Sequence, residues 1–369
     1  ENWQDEYTIW DCCAGTGNLL KGLSNKRNVF ASTLDKGDVG IMKELADQNV
    51  LPLFENNIFQ FDFLNDDLQS EKVPKSLREI LADENERKKL VIYINPPYAE
   101  HGNAKQISRT GKNKEKIATE TKIYKNYKDE LGTALRELFT QFLIRIYKEI
   151  PNCKIAQFST LKAVQAQNFK KFRSVFKSKL NKLFIVPANT FDNVKGQFPI
   201  GFFIWNCAEE DTLVEINADV YDANGINIGS KIVSSYINDK YVIEWLKKYH
   251  DKTNPNINGF LRMCGTDVQH NKDIFITNKL SENDLKEKLF TPITQKNVIQ
   301  TFIYCCIRHV IPADWKNDRD QFLFPNSNWE NDRIFQSNCL IFMLFDESNV
   351  IKTAHGTNHW IPFTESEVN

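Results

Sequence analysis

Residues 7 to 206 predict a doubly wound α/β domain on a mostly parallel sheet, and residues 207 to 369 predict an α+β region. Three observations carry this expectation. Seven short apolar segments recur through the first part, an amphipathic helix of clear period lies among them, and the rhythm breaks after about residue 207. Short apolar strands alternating with helices bury both faces of a sheet, which is the habit of parallel α/β folds.

Taken in order, strands are expected at "YTIWDC" (7 to 12), "VFASTL" (29 to 34), "NIFQFDF" (57 to 63), "LVIYI" (90 to 94), "KIAQFS" (154 to 159), "LFIVPA" (183 to 188) and "IGFFIW" (200 to 205). The clearest helix is "TALRELFTQFLIRIYKEI" (133 to 150), with Leu135, Leu138, Phe139, Phe142, Leu143, Ile146 and Tyr147 on one stripe. Only "NTFDNVKGQFP" separates the last two strands. That is too short for a helical crossover, so an antiparallel hairpin is expected at one sheet edge. Beyond residue 207, "TLVEINADVYDANGINIGSKIV" predicts a β-hairpin around Asn224-Gly225. Helices are expected near 238 to 249 and 292 to 309, and a strand at "CLIFMLF" (339 to 345).

Composition excludes several classes. Apolar residues make up 41% and charged residues 26% of 369, with 26 Phe, 11 Tyr and 7 Trp, as expected of a globular protein rather than a disordered one. No apolar run approaches the ~20 residues that cross a bilayer, and "ENWQDEYTIW" lacks a signal peptide's character. No membrane association is expected. Eight cysteines form no C-x-x-C pair, so free thiols and a cytoplasmic setting are expected. Two histidines four apart, His355 and His359, lack a flanking acid or thiol, and no metal site is expected.

Net charge is −1, so bulk electrostatics selects no polyanionic partner; its distribution does. Residues 161 to 182 carry seven Lys or Arg and no acid, and residues 105 to 128 hold eight basic residues against two acids. Such runs suit a phosphate backbone lying along one face, although a solvated helix surface has the same composition.

In "YTIWDCCAGTGNLLKGL" a strand leads to Gly15-Thr16-Gly17 and then the start of a helix. Glycines there allow a tight turn and close approach of a ligand. Asp11 ends the strand and Asp35 ends the next, placed for ribose hydroxyls. Leu20 stands where a dinucleotide fingerprint requires glycine, and no Gly-Lys-Ser/Thr follows to make a P-loop. An acid at Asp11 argues against phosphate and for a cationic ligand. The third strand closes on Asp62-Phe63, a carboxylate for an adenine amino group beside a ring for its face.

The fourth strand stops at Asn95-Pro96-Pro97-Tyr98. Two prolines cannot continue a ladder, and they fix the backbone so that two acceptors, the Asn95 side-chain oxygen and the Pro96 carbonyl, are preorganised. Such a pair can hold both N–H groups of an exocyclic amine and draw its nitrogen towards a tetrahedral form. Tyr98 offers a face for the base, a contact of about 1–3 kcal/mol by analogy with single-strand stacking.

"DCCAGTG", Asp35, "FDF" and "NPPY", in that order, resemble the motif series of the DNA adenine-N6 methyltransferases of the gamma group, over roughly residues 7 to 206. The resemblance implies a Rossmann-like class I methyltransferase domain at 1 to 206. Its cofactor, S-adenosylmethionine, carries the amino group, sulfonium and ribose that the Asp11 turn calls for. Implied cofactor contacts come from Asp11, Cys12, Ala14, Gly15, Gly17 and Asn18, with Asp35, Asp62 and Phe63. Asn95, Pro96, Pro97 and Tyr98 would be catalytic. "FDNVKGQFPIGFFIW" (191 to 205) resembles the later motif whose aromatic residue stacks on a flipped base, here Phe198. Contacts to double-stranded DNA would come from Lys195, Lys170, Lys171, Arg173 and Arg109. A target nucleotide inside a duplex must be flipped out first.

Relatives carry a further cofactor motif upstream, so a fragment with weakened cofactor affinity is expected. Residues 207 to 369 would be an accessory region or the start of a target-recognition region, and a restriction or specificity partner is implied. Rival readings place another acceptor at the same corner: RNA adenine, cytosine N4 or protein glutamine. A different class of rival is a non-catalytic DNA-binding or specificity subunit. Cytosine-C5 chemistry is excluded, because the chain has no Pro-Cys pair.

Overall fold

The computed structural model describes residues 6–97, 117–191, 194, 196–235, 241–251, 253–353 and 356–357. The chain divides into two compact units, one comprising Glu1–Val194 and Ile200–Ser235, the other Lys195–Pro199 and Tyr236–Asn369.

The first unit is built on a nine-stranded sheet in the order β3-β2-β1-β4-β5-β7-β6-β8-β9. Its strands are β1 (Thr8–Asp11), β2 (Val29–Thr33), β3 (Ile58–Gln60), β4 (Leu90–Ile94), β5 (Lys154–Thr160), β6 (Ser178–Pro187), β7 (Pro199–Glu210), β8 (Glu215–Tyr221) and β9 (Asn227–Ser234). Strands β3, β2, β1, β4 and β5 pair in parallel, and β7 runs antiparallel to β5. This is a Rossmann-like, mostly parallel α/β fold. All seven expected strands are present.

Alternation along each strand sends neighbours to opposite faces. Ile9, Val29, Ala31 and Ile58 pack under helix α1 (Lys36–Asp47) with Met42, Ala46, Leu51 and Leu53. On the other face Trp10 meets Phe59, Phe61 and Phe63, and Phe63 stacks on Phe142 of helix α2 (Leu138–Glu149) at 5.2 Å. Helix α2 is buried from Leu138 through Ile146, more completely than a single stripe requires. Further along the α1 side, Tyr93, Phe158, Phe184 and Phe202 line an apolar cavity of about 370 Å³ over β4 to β7.

Two expectations need correcting here. The hairpin around Asn224-Gly225 forms, with the Asp222 carboxylate accepting from the Asn224 and Ile226 N–H groups. However, β8 pairs with β6 in parallel, so the hairpin extends the sheet instead of opening an accessory region at 207. The compact unit therefore reaches Ser235. For the same reason the edge hairpin is β8–β9, and the strands flanking "NTFDNVKGQFP" lie inside the sheet.

The second unit is α+β. It holds an antiparallel sheet of β10 (Gly259–Arg262) between β11 (Phe275–Thr277) and β12 (Phe290–Ile293), with helices α3 (Val298–Val310) and α4 (Arg333–Phe345). Val242, Trp245, Leu261, Ile303, Tyr304 and Met343 belong to its core. The strand expected at 339 to 345 is the second half of α4. Asp332 caps that helix by accepting from the Phe335 N–H at 2.8 Å, and Cys339 and Met343, one turn apart, are the buried pair.

Candidate functional site

Because β3, β2, β1 and β4 are parallel neighbours, the segments that follow them leave one edge of the sheet. Those segments are the 61–66 loop, Leu34-Asp35, the Asp11–Gly17 turn and the Asn95–Pro97 corner. The register pairs Trp10 with Ile92, so Asp11 and the last residues of β4 lie side by side, and the Asp11 charge is felt at Tyr93.

The turn after β1 is tight. Ala14 N–H donates to the Ser32 carbonyl at 2.9 Å and Gly17 N–H to the Ala14 carbonyl at 2.8 Å. Gly15 and Gly17 take φ of 53° and 83°, which glycine adopts without a Cβ penalty. Their surroundings differ. A Cβ on Gly17 would lie 2.7 Å from the Leu51 side chain, whereas one on Gly15 would meet nothing within 4 Å. Gly17 thus serves packing, and Gly15 faces open space where a ligand can approach. Cys12 is buried and Asn18 exposed. The helix start expected after the turn is a single 3-10 turn, Asn18–Leu20, so this segment brings no helix dipole to the ligand position.

Asp11 is only 1% exposed. Its carboxylate accepts from the Cys13 backbone N–H at 3.0 Å and from the Cys13 thiol. Burial outweighs both and pushes its pKa up to about 7. A buried carboxylate held by so little is poised for a cationic ligand.

Asp35 is exposed and caps α1 by accepting from the Gly37 N–H at 2.6 Å. The cap uses Oδ1, leaving Oδ2 for a ligand. Beside it a cavity of about 410 Å³ is lined by Leu34, Gln60, Asp62, Asp66 and Lys72. Asp62 Oδ1 accepts from the Leu64 N–H at 3.0 Å and Oδ2 from the Asn65 amide at 2.8 Å. Lys72 donates to both Asp66 oxygens, at 2.7 and 2.8 Å. Burial opposes ionisation of Asp66, but Lys72, the Asp62 N–H and the charges around it win, and its pKa falls below the usual value.

Phe63 does not take the place expected of it. The ring is 3% exposed, stacked on Phe142 and set edge-on to Trp10, and has no face left for a ligand. The apolar surface that does line the cavity is Leu34, 66% exposed directly after β2. Leu34, Gln60, Asp66 and Lys72 were missed by motif reading. An exposed leucine between a strand end and Asp35 was the signal available for the first.

At the corner, Asn95 is half-buried, Pro96 buried and Pro97 exposed. Tyr98, Arg109 and Lys195 lie outside the described residues. Lys170 and Lys171 are exposed on the helix Lys170–Val175. Arg173 is turned inward, donating to the Ala166 carbonyl at 2.8 Å and the Ala163 carbonyl at 3.3 Å, so its guanidinium braces the preceding turn. Phe198 belongs with the second unit, where the Arg319 guanidinium sits 5.1 Å from its ring centre. Among the described residues no group of three or more His, Cys, Asp or Glu is placed to hold a metal, and no helix is long and apolar enough to cross a membrane.

No protein-family model matches the chain. No curated protein matches it either. Among solved structures, it is similar to the DrdV–DNA complex, at 19% identity over 61% of this chain and 26% of that one, with a TM-score of 0.41. A nuclease-deletion mutant of the Type ISP restriction-modification enzyme LlaGI with a DNA substrate mimic gives 12%, 72%, 31% and 0.42 in the same order. The type I restriction-modification methyltransferase subunit from Streptococcus thermophilus gives 14%, 68%, 44% and 0.34. The chain thus spans less than half the length of each of these three. The fold assignment rests on the strand order and the parallel pairings themselves.

Proposed function

We propose that the chain is the catalytic part of an S-adenosylmethionine-dependent DNA adenine-N6 methyltransferase of a restriction-modification or defence system. The observation that carries this is the shared sheet edge: the Asp11–Gly17 turn follows β1 and the Asn95–Pro97 corner follows the adjacent, parallel β4.

The residues present fit the cofactor. Open space at Gly15 admits a ligand, buried Asp11 suits an ammonium or sulfonium, and the Leu34–Asp62 cavity suits an adenosine. Bound there, S-adenosylmethionine supplies an electrophilic methyl group. The protein's own part is acceptance and alignment. Asn95 and the Pro96 carbonyl accept from the two N–H groups of the target amine, raising electron density on its nitrogen, and the prolines keep both acceptors from relaxing away. The spare proton leaves to water after transfer, so no general base is required. Asp35 Oδ2 holds ribose hydroxyls. Lys170 and Lys171 contact backbone phosphates of a duplex whose target base is extruded. The second unit acts as an accessory or target-recognition region.

Incubating duplex DNA, RNA and protein acceptors with methyl-labelled cofactor tests this reading. Label recovered as N6-methyldeoxyadenosine is expected. Label in RNA, cytosine or glutamine would move the assignment to that acceptor, and no transfer to any of them would refute it.

A further inference from the structure

Arg145 enters the interior from α2 and is 2% exposed. A guanidinium there carries a desolvation cost of several kcal/mol unless every donor is well placed. Apolar side chains fill most of the buried positions around it on α2, and a leucine or methionine would pack at no such cost. What the arginine adds is a set of directed donors. Nε donates to Glu149 one turn on, at 2.9 Å. Nη2 donates to the Asp66 carbonyl at 2.7 Å, and Nη1 donates to the Phe63 carbonyl. Its Cζ also lies 5.0 Å from the Phe63 ring centre and 6.0 Å from that of Phe61.

Two of these three partners are main-chain carbonyls of one loop, the one that follows β3 and carries Asp62. The loop is braced within itself, since Asp62 N–H donates to Asp66 Oδ2 at 2.9 Å and Lys72 neutralises Asp66. Arg145 pins it from behind at residues 63 and 66, on either side of the turn that the Asp62 carboxylate caps. The side chain does not line the Leu34–Asp62 cavity; it holds the loop that does.

We propose that Arg145 is a positioning residue for the purine end of the cofactor. By gripping the Phe63 and Asp66 carbonyls it holds the Asp62 carboxylate where an exocyclic amino group can donate to it, and thereby selects a 6-amino purine over a 6-keto purine. This rests on the cofactor reading proposed above.

The test compares S-adenosylmethionine with its inosine counterpart, S-inosylmethionine, by calorimetric titration of the whole chain and of Arg145→Lys, Arg145→Met and Asp62→Asn. The unaltered chain should prefer the adenosyl form by about 10–100-fold, the worth of one hydrogen bond to a charged acceptor. Arg145→Lys keeps the charge and loses the fork, and should bring the two affinities within about threefold, as should Asp62→Asn, which leaves Arg145 in place. A merely structural arginine would weaken both cofactors by one factor; that result, or an undiminished preference in Arg145→Lys, overturns the proposal. If Arg145→Met does not fold, Arg145→Lys and Asp62→Asn decide alone. Failure of the unaltered chain to bind either cofactor would instead bring down the cofactor reading, and this proposal with it.

Discussion

Replacing Asp11 by asparagine keeps the shape and removes the charge, and the consequences can be worked from burial. In the folded chain the Asp11 pKa is pushed from 3.8 up to about 7, chiefly by desolvation, against the two Cys13 hydrogen bonds. Unfolded, the group ionises near its ordinary value. Between those two pH values the native state binds the extra proton, so stability is greatest on the acid side and declines as pH rises towards 7. The shift, about 3 units, corresponds to a loss of about 4 kcal/mol at most, at about 1.4 kcal/mol per unit. A cationic ligand beside Asp11 reverses this for binding. It favours the carboxylate, so cofactor affinity should rise with pH to about 7 and weaken about tenfold per unit below it, with one proton released on binding in that range. Asp11→Asn should flatten both profiles, be more stable than the parent above pH 7, and bind cofactor about 10–100-fold more weakly there. Thermal melts and titrations in two buffers of different ionisation enthalpy measure all of this. A parent chain whose affinity is level from about pH 5.5 to about pH 8.5, with no proton released, would refute the pairing of Asp11 with a cation.

Other substitutions separate chemistry from scaffold. Asn95→Ala should lower methyl transfer by about 10²–10³-fold, as loss of one oxyanion-type partner does, while cofactor affinity measured by titration changes less than twofold. Gly17→Ala should cost about 1–3 kcal/mol in denaturant melts, because its Cβ meets Leu51 at 2.7 Å in a left-handed conformation. Gly15→Ala, with nothing within 4 Å, should leave the fold largely intact and weaken cofactor binding instead. Changing Lys170 and Lys171 together to alanine should reduce the slope of log DNA affinity against log salt by about 1.8, two contacts at about 0.9 each, measured by anisotropy.

The sheet was legible because strands buried on both faces read as continuous apolar runs, and the parallel core leaves little freedom in how they order. "CLIFMLF" was not, because seven apolar residues fit either period; the deciding features are Asp332, which caps the helix from outside the run, and the burial of Cys339 with Met343. The β8–β9 hairpin was read correctly as local structure and misplaced at the level of units. Its pairing with β6 spans residues that no local pattern links. At the site, the acids at strand ends and the glycine turn were visible as motifs. Phe63 was misjudged because a motif gives a residue's neighbours in sequence, whereas Phe142 and Trp10 take its ring faces from elsewhere in the chain. Arg145 was invisible for a related reason: it acts on the 61–66 loop from a helix 79 residues beyond Asp66, whereas Lys72, only six residues past Asp66, sits in a segment that reads as an ordinary polar loop.

The most direct measurement is a crystal structure of this chain with S-adenosylmethionine bound. The account predicts the adenosine in the Leu34–Asp62 cavity, the amino group beside Asp11, and the sulfonium methyl directed at Asn95. Cofactor lying elsewhere, for instance in the apolar cavity lined by Tyr93, Phe158 and Phe202, or with its methyl turned away from Asn95, would contradict it.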